Sequence, residues 1–443
     1  MKKTLHETAR GWLDGSSQTL AAQIFRVAAT LASTPYSGVV RLRNRLYDVG
    51  TLRALEPPRP TISVGNLTLG GVGKTPFVGW LADYFLQTSQ TPAFISRGYQ
   101  AERQRDLFAR LDALDRAHSK AALVRSTFCS PQSTETSFPR QTAHSPQTHV
   151  ANFAQFQQFN DEARELALLF PQTPHFLGVN RVEVASALAE ARPDVDVFLL
   201  DDAFQHRRIK RDLDVVVLDA LHPFGGGRVF PAGFLREPLS GLSRADVVLL
   251  NRADLIADER RQAIRAQVER LAPNALFGEI AQIPRFIFSR SNGASAATPN
   301  VLNATSVSDN AVPLFSPPSP SRLVCENFKT WVEKRRGGRF LAFCGLGAPQ
   351  GFRKTLEVNG LTPTSFIEFP DHCAYSERDF QALASEAERV DAEAFLTTAK
   401  DFVKLSEPTL CGRPIFALGI GVAFLNGESE LRALLAERFP PRN

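Results

Sequence analysis

The hydrophobic positions of this chain change register repeatedly. Short apolar runs at Thr61 to Val64, Pro92 to Ser96, Val195 to Leu200, Leu213 to Leu218 and Asp246 to Leu250 read as strands. Between them, apolar residues three and four apart predict helices, as in Phe77, Trp80, Leu81, Tyr84 and Phe85, and again from Asn160 to Leu169. Such alternation implies a parallel sheet covered on both faces, with ligands at the carboxyl ends of its strands. After Arg339 the pattern resumes, with strands at Phe340 to Cys344, Phe366 to Phe369, Ala394 to Thr397 and Pro414 to Leu418. Helices are expected there at Gln350 to Val358 and Ser376 to Val390, which makes a second, smaller α/β unit.

Three stretches depart from this alternation. Residues 15 to 47 lack acidic side chains, carry Arg26, Arg41, Arg43 and Arg45, and set Leu20, Ile24, Val27, Ala28 and Leu31 on one helical face, with a break expected around Pro35 and Gly38. A helix lying in a lipid headgroup layer fits this pattern, and so does a helix packed on its own domain. Beyond a polar stretch from Glu102 to Ala122 that reads as helical, Ser126 to about His149 is rich in Ser, Thr, Gln and Pro without periodicity, and reads as a long loop or insertion. Residues 290 to 321 have a similar composition and read as a linker. The expected organisation is therefore an N-terminal segment over 1–50, a core domain over 51–289, a linker or insertion over 290–335 and a C-terminal α/β domain over 336–443.

Composition narrows this picture only slightly. At 443 residues the chain exceeds one ordinary domain of ~150. Its net charge of +5 points to an anionic partner, with nucleotide, lipid and nucleic acid all open on charge alone. The five cysteines are scattered without metal-like spacing, as in a reducing compartment. No apolar run approaches the ~20 residues of a membrane span, and no signal-peptide core is expected at the N-terminus.

The chemistry centres on Gly65-Asn-Leu-Thr-Leu-Gly-Gly-Val-Gly-Lys-Thr-Pro76, between a strand and a helix. Gly70, Gly71, Val72 and Gly73 would bring backbone N–H groups onto phosphate oxygens, with Lys74 on the terminal phosphates and the Thr75 hydroxyl on magnesium. Thr68 stands where the common signature has its first glycine. Asp201 and Asp202 follow an apolar strand, where nucleotide-using folds place a metal-binding carboxylate. Arg236 and Glu237 lie in a loop bounded by Pro and Gly, where a structural ion pair and a catalytic role read equally well. The run His206-Arg-Arg-Ile-Lys-Arg211 would neutralise phosphates or form a solvated turn, and Asp371-His372 at a strand end reads as structural or as an acid orienting an imidazole. Asn251-Arg-Ala-Asp254 resembles the base-reading tetrad of GTPases and supports a rival reading, a GTP-driven switch or metal-insertion chaperone. Against that reading, Asp202-Ala-Phe-Gln205 lacks the D-x-x-G of a switch, and no Cys/His cluster offers a metal cargo.

Taken together these stretches resemble the tetraacyldisaccharide 4'-kinase family. The carriers are GNLTLGGVGKTP at 65 to 76, SRGY at 96 to 99, DE at 161 to 162, DDAFQH at 201 to 206, RDL at 211 to 213, FPAGFLREP at 230 to 238, GLGAP at 345 to 349, FPDH at 369 to 372 and AKDFVKL at 399 to 405. The family's own loop has Thr where Thr68 stands, whereas Asn160, Ala203 and Cys373 depart from its usual residues. The resemblance implies a P-loop NTPase-like parallel-sheet domain, a second α/β domain with the active site in the cleft between them, and a membrane-associated N-terminal amphipathic helix. It implies transfer of the γ-phosphate of ATP, with Mg2+, to the 4'-hydroxyl of a tetraacyldisaccharide 1-phosphate lipid A precursor. By motif position it implies an acid-base dyad of Asp161 and His372, phosphate and metal contacts from Lys74 and Thr75, and metal or catalytic-centre positions for Asp201, Asp202 and Glu237. The expected partners are that lipid and a membrane surface, with no nucleic acid, at the cytoplasmic face of a bacterial inner membrane.

Overall fold

The computed structural model describes residues 19–97, 124–126, 161–170, 173–178, 180–292, 321–347, 349–371, 373–405, 407 and 409–441. The helix expected from Glu102 to Ala122, most of the insertion expected from Ser126 to His149, and His372 lie outside them.

In chain order the first elements are α1 (Leu20–Asp48), β1 (Thr61–Gly65), α2 (Lys74–Gln87), β2 (Pro92–Ser96), β3 (Val124–Ser126) and α3 (Asp161–Leu169). Then come β4 (His175–Leu177), α4 (Arg181–Ala191), β5 (Val197–Asp201), β6 (Leu213–Asp219), β7 (Val247–Asn251), α5 (Asp258–Leu271) and β8 (Leu276–Asn292). The chain continues through β9 (Ser321–Asn327), α6 (Phe328–Lys334), β10 (Phe340–Cys344), α7 (Pro349–Val358), β11 (Ser365–Glu368) and α8 (Glu377–Arg389). It closes with β12 (Ala394–Thr398), α9 (Ala399–Phe402), β13 (Thr409–Leu410), β14 (Arg413–Asn426) and α10 (Glu428–Arg438). Among the described residues no helix is long and apolar enough to cross a membrane.

These elements form two compact units, interleaved along the chain where the sequence reading sets domains end to end. Unit 1 comprises residues 1–74, 196–282 and 422–443; unit 2 comprises 75–195 and 283–421. In unit 1, β5, β1, β6, β7 and the first part of β8 run parallel, with Val64 beside Asp201, Gly65 beside Val216, and Asp219 beside Asn251. This register brings Gly65, Asp201, Asp219 and Asn251 to the carboxyl edge of one sheet, where an open α/β sheet binds its ligands. Val216, Leu218, Val248 and Leu250 fill one face against Ile264 and Val268 of α5.

In unit 2, β11, β10, β12 and the first part of β14 are parallel. Their pleat sorts one apolar run into two cores. Leu341, Phe343, Phe395, Ile415 and Ala417 pack with Leu383 and Phe402, whereas Phe340, Ala342, Leu396, Phe416 and Leu418 pack with Trp331 and Leu356. Burial on both faces explains why these strands read as continuous apolar runs.

Two expectations about elements are corrected. No break occurs at Pro35, which lies inside the continuous α1. The proline removes the N–H that the Leu31 carbonyl would accept from, and the turn before it carries added side-chain bonds, the Ser33 and Thr34 hydroxyls donating to the Thr30 carbonyl and the Thr30 hydroxyl to the Arg26 carbonyl. The linker expected over 290–335 contains structure at both ends, since β8 pairs antiparallel with β9 from Phe286 opposite Asn327 to Asn292 opposite Ser321, and α6 follows.

Candidate active site

The loop after β1 is shaped by what stands behind it. A Cβ at Gly65 would lie 2.5 Å from the Phe204 Cβ, so only glycine lets the strand end so close to that turn. Gly70 and Gly73 take left-handed φ values of 106° and 78°, and a Cβ at Gly73 would strike the side-chain amides of Gln282 and Asn251. The Asn251 amide donates to the Val72 carbonyl and the Asn66 amide to the Thr68 carbonyl, both at 2.7 Å. The segment 230–238 holds the same loop through backbone bonds, Leu69 N–H to the Phe234 carbonyl and Arg236 N–H to the Leu67 carbonyl, each 2.7 Å. Thr68, at the position of the missing signature glycine, is 6% exposed and bridged to Leu235.

Lys74 emerges at the end of this loop with its ammonium 3.3 Å from Asp202. Arg236 donates to both Asp202 oxygens at 2.8 and 3.0 Å. Burial opposes ionisation of Asp202, but Lys74 and Arg236 outweigh it and hold the carboxyl well below the usual carboxylate range. Asp202 has a φ of 51°, in the left-handed region that Asp tolerates better than most residues. Its neighbour Asp201 ends β5 and is 4% exposed. Thr75, in the first turn of α2, is buried.

Glu237 does not fit the metal position expected of it. Its carboxylate is fully buried and accepts from Arg244 at 3.0 and 2.9 Å, from the Gln205 amide at 3.0 Å and from the Asn44 amide at 2.9 Å. These bonds take up the acceptor sites of both oxygens. Arg244 also lies 4.5 Å over the Phe204 ring, so Glu237 clamps α1, the 203–205 turn and the 230–238 loop together. Neither Asn44 nor Arg244 carries a sequence signal for this role. Of the basic run, Arg207 pairs with Asp48 at 2.7 Å, donates to the Asn44 carbonyl and lies over the Tyr47 ring, while Lys210 pairs with Glu56.

The apparent base-reading tetrad is a brace. Asn251 donates to Val72 and accepts from the Arg252 N–H at 2.9 Å; Arg252 pairs with Asp219 at 2.8 Å, and Asp254 is exposed.

In unit 2, Asp161 opens α3 and is 8% exposed. Arg164 lies 3.1 Å from one of its carboxylate oxygens and Lys404 3.1 Å from the other. Lys404 also lies 3.1 Å from Asp401. Asp371 pairs with Lys400 at 3.1 Å; His372 is outside the described residues. Among the described residues no group of three or more His, Cys, Asp or Glu side chains encloses a metal. The hydroxyl of Thr75 and the carboxylate of Asp201 are hard oxygen donors of the kind that suit magnesium, which fills its remaining positions with water and phosphate oxygens.

Comparison with known proteins gives a consistent result. The family model described as tetraacyldisaccharide-1-P 4'-kinase matches residues 26–119 and 137–440. A tetraacyldisaccharide 4'-kinase from Halothermothrix orenii is 29% identical over 92% of this chain and 90% of its own length. One from Anaeromyxobacter dehalogenans strain 2CP-C is 31% identical over 92% and 89%, and one from Syntrophotalea carbinolica 32% over 88% and 86%. The fold is similar to that of a crystal structure of LpxK from Aquifex aeolicus in complex with ATP, with a TM-score of 0.57 and 24% identity over 94% of this chain and 99% of that one.

Proposed function

We infer the reaction from the premise that this chain belongs to the tetraacyldisaccharide-1-P 4'-kinase family: it is an ATP-dependent kinase that phosphorylates the 4'-hydroxyl of a tetraacyldisaccharide 1-phosphate, giving the bis-phosphorylated lipid A precursor. The observation that carries the chemistry is Lys74 held beside the Asp202–Arg236 pair at the carboxyl edge of a parallel sheet. Phosphoryl transfer asks mainly for positioning and charge neutralisation. The backbone of Thr68 to Gly73 cradles phosphates, Lys74 neutralises the terminal ones, and Arg236 keeps Asp202 ionised and oriented. Magnesium, when bound, would be held by Thr75 and Asp201 and would neutralise phosphate charge.

Asp161 takes the proton of the 4'-hydroxyl as its oxygen bonds to the γ-phosphorus and the bond to the β–γ bridging oxygen breaks, releasing ADP. His372 supports Asp161 in this role. The protein docks peripherally on the cytoplasmic face of the bacterial inner membrane, through the apolar face of α1.

The deciding experiment incubates purified protein with ATP, magnesium and a tetraacyldisaccharide 1-phosphate. Appearance of the bis-phosphorylated lipid with matching ADP is the expected result. GTP turnover without a lipid acceptor, and no lipid product, would overturn the assignment in favour of a switch protein.

A further inference from the structure

The segment from Thr398 to Leu405 does something that neither the phosphate loop nor the Asp161–His372 pair accounts for. Asp401 is fully buried, and one of its oxygens accepts from the Gly345 N–H at 3.0 Å and from the Thr398 hydroxyl at 2.7 Å. Its other oxygen meets the Lys404 ammonium at 3.1 Å. That ammonium has a side-chain exposure of only 8% and meets the second carboxylate, Asp161, at 3.1 Å. The Arg164 guanidinium bonds both Asp161 and the Val403 carbonyl, so both cations on Asp161 are tied to one short segment.

We propose that Lys404 is the positioning residue that keeps Asp161 ionised and in a single orientation for proton abstraction. This rests on the reading of Asp161 as the group that takes the hydroxyl proton. A carboxylate nine-tenths buried stays charged only if cations repay its lost hydration. Arg164 and Lys404 approach opposite oxygens, which fixes the carboxylate plane as well as its charge. Asp401 in turn fixes Lys404, because its remaining bonds run to backbone and to a buried hydroxyl.

The charged and titratable groups facing this site are Arg164 and Glu162 on α3, Lys400 and Asp401 beside Lys404, and Tyr375 and Cys373 from the segment before α8. Glu162 and Asp371 engage Lys400. Removing the Lys404 charge leaves Asp161 with one cation fewer at contact distance. The acidic limb of kcat should therefore move upward by on the order of 1–3 pH units.

The test records pH–rate profiles of the full chain with ATP and the disaccharide lipid for the wild type, Lys404→Met, Lys404→Arg and Asp161→Asn. The inference expects the acidic limb to move up in Lys404→Met and to return in Lys404→Arg, with the KM for ATP unchanged in both. A uniform fall of kcat at every pH in Lys404→Met, with the limb in its wild-type place, would overturn it. If the Met variant does not fold, Lys404→Gln removes the charge while keeping an amide donor and is read the same way. Asp161→Asn separates the two levels. Wild-type turnover in that variant overturns the base assignment and this inference with it. A fall of about 10²–10⁴ together with an unmoved limb in Lys404→Met overturns the inference alone.

Discussion

Two cations meet on the Asp202 carboxylate, Lys74 at 3.3 Å and Arg236 at 2.8 Å, and hold it well below the usual carboxylate range. Asp202 thereby orders both cations at the end of the phosphate loop. Lys74→Ala should lower kcat by on the order of 10²–10³, the cost of losing one group aimed at developing charge. The unfolding temperature should hardly move, because Asp202 keeps Arg236; steady-state kinetics beside a thermal melt would show both, and undiminished kcat would remove Lys74 from the site. Lys74, Asp202 and Arg236, which the structure brings together, each stand out in the sequence because each sits in a contiguous motif. Glu237 was legible as important but its role was not, since that is set by Asn44, 193 residues away in sequence, and by Arg244. Asn251 belongs to an apparent tetrad, yet its side-chain bond to the Val72 carbonyl leaves no trace in spacing.

Among the elements, α1 has two distinct faces. Ala22, Ala29 and Val40 are buried, and the Tyr36 hydroxyl and Asn44 amide reach the Arg236 carbonyl and Glu237. On the other face Leu20, Ile24, Val27, Leu31, Val39 and Leu42 are 59–71% exposed, a stripe flanked by arginines. The first face is that of a helix packed on its own domain, and the second is the exposed apolar stripe that the lipid reading requires. Ile24→Asp with Leu31→Asp should weaken binding to anionic vesicles by at least about tenfold, since each apolar side chain buried is worth ~1.5–3 kcal/mol. Cosedimentation at low salt would measure this, and equal binding by both proteins would leave α1 as a structural helix only. Elsewhere β1, β2, β5, β6, β7, β10, β11 and β12 were legible from apolar runs, with boundaries displaced by a residue or two, whereas β3, β4, β9 and β13 escape that pattern and β14 runs on to Asn426, well past the expected end at Leu418. The long strand β8 also escapes it and carries Pro284, which argues against a strand. Its parallel pairing with β7 ends at Ile280 and its antiparallel pairing with β9 starts at Phe286, so the proline sits in the stretch between those two registers.

At the scale of the whole molecule, the sequence reading found the two α/β units but not their interleaving, because tertiary bonds decide where a late segment belongs. The last helix, α10, follows the second unit in sequence yet belongs to unit 1, where Arg438 donates to the Asp212 carbonyl at 2.9 Å and pairs with Asp246 at 2.8 Å. Stability of the other unit has its own pH signature. His175 in β4 is 2% exposed, 2.9 Å from the Ser96 hydroxyl and edge-on to Phe94, and burial pushes its pKa down from 6.5 to about 3. Between those values the folded chain keeps the imidazole neutral while the unfolded chain takes up a proton. This contribution is complete above pH ~6.5 and is lost at about 1.4 kcal/mol per pH unit as the pH falls toward 3. Trp80 and Trp331 both lie in this unit, so urea unfolding followed by tryptophan fluorescence at pH 7.5 and 4.5 reads it. His175→Gln should be less stable than the wild type at the higher pH but lose less on acidification, by on the order of 2 kcal/mol. Equal losses in the two proteins would mean that the buried imidazole does not set the slope, leaving acid sensitivity to the paired carboxylates.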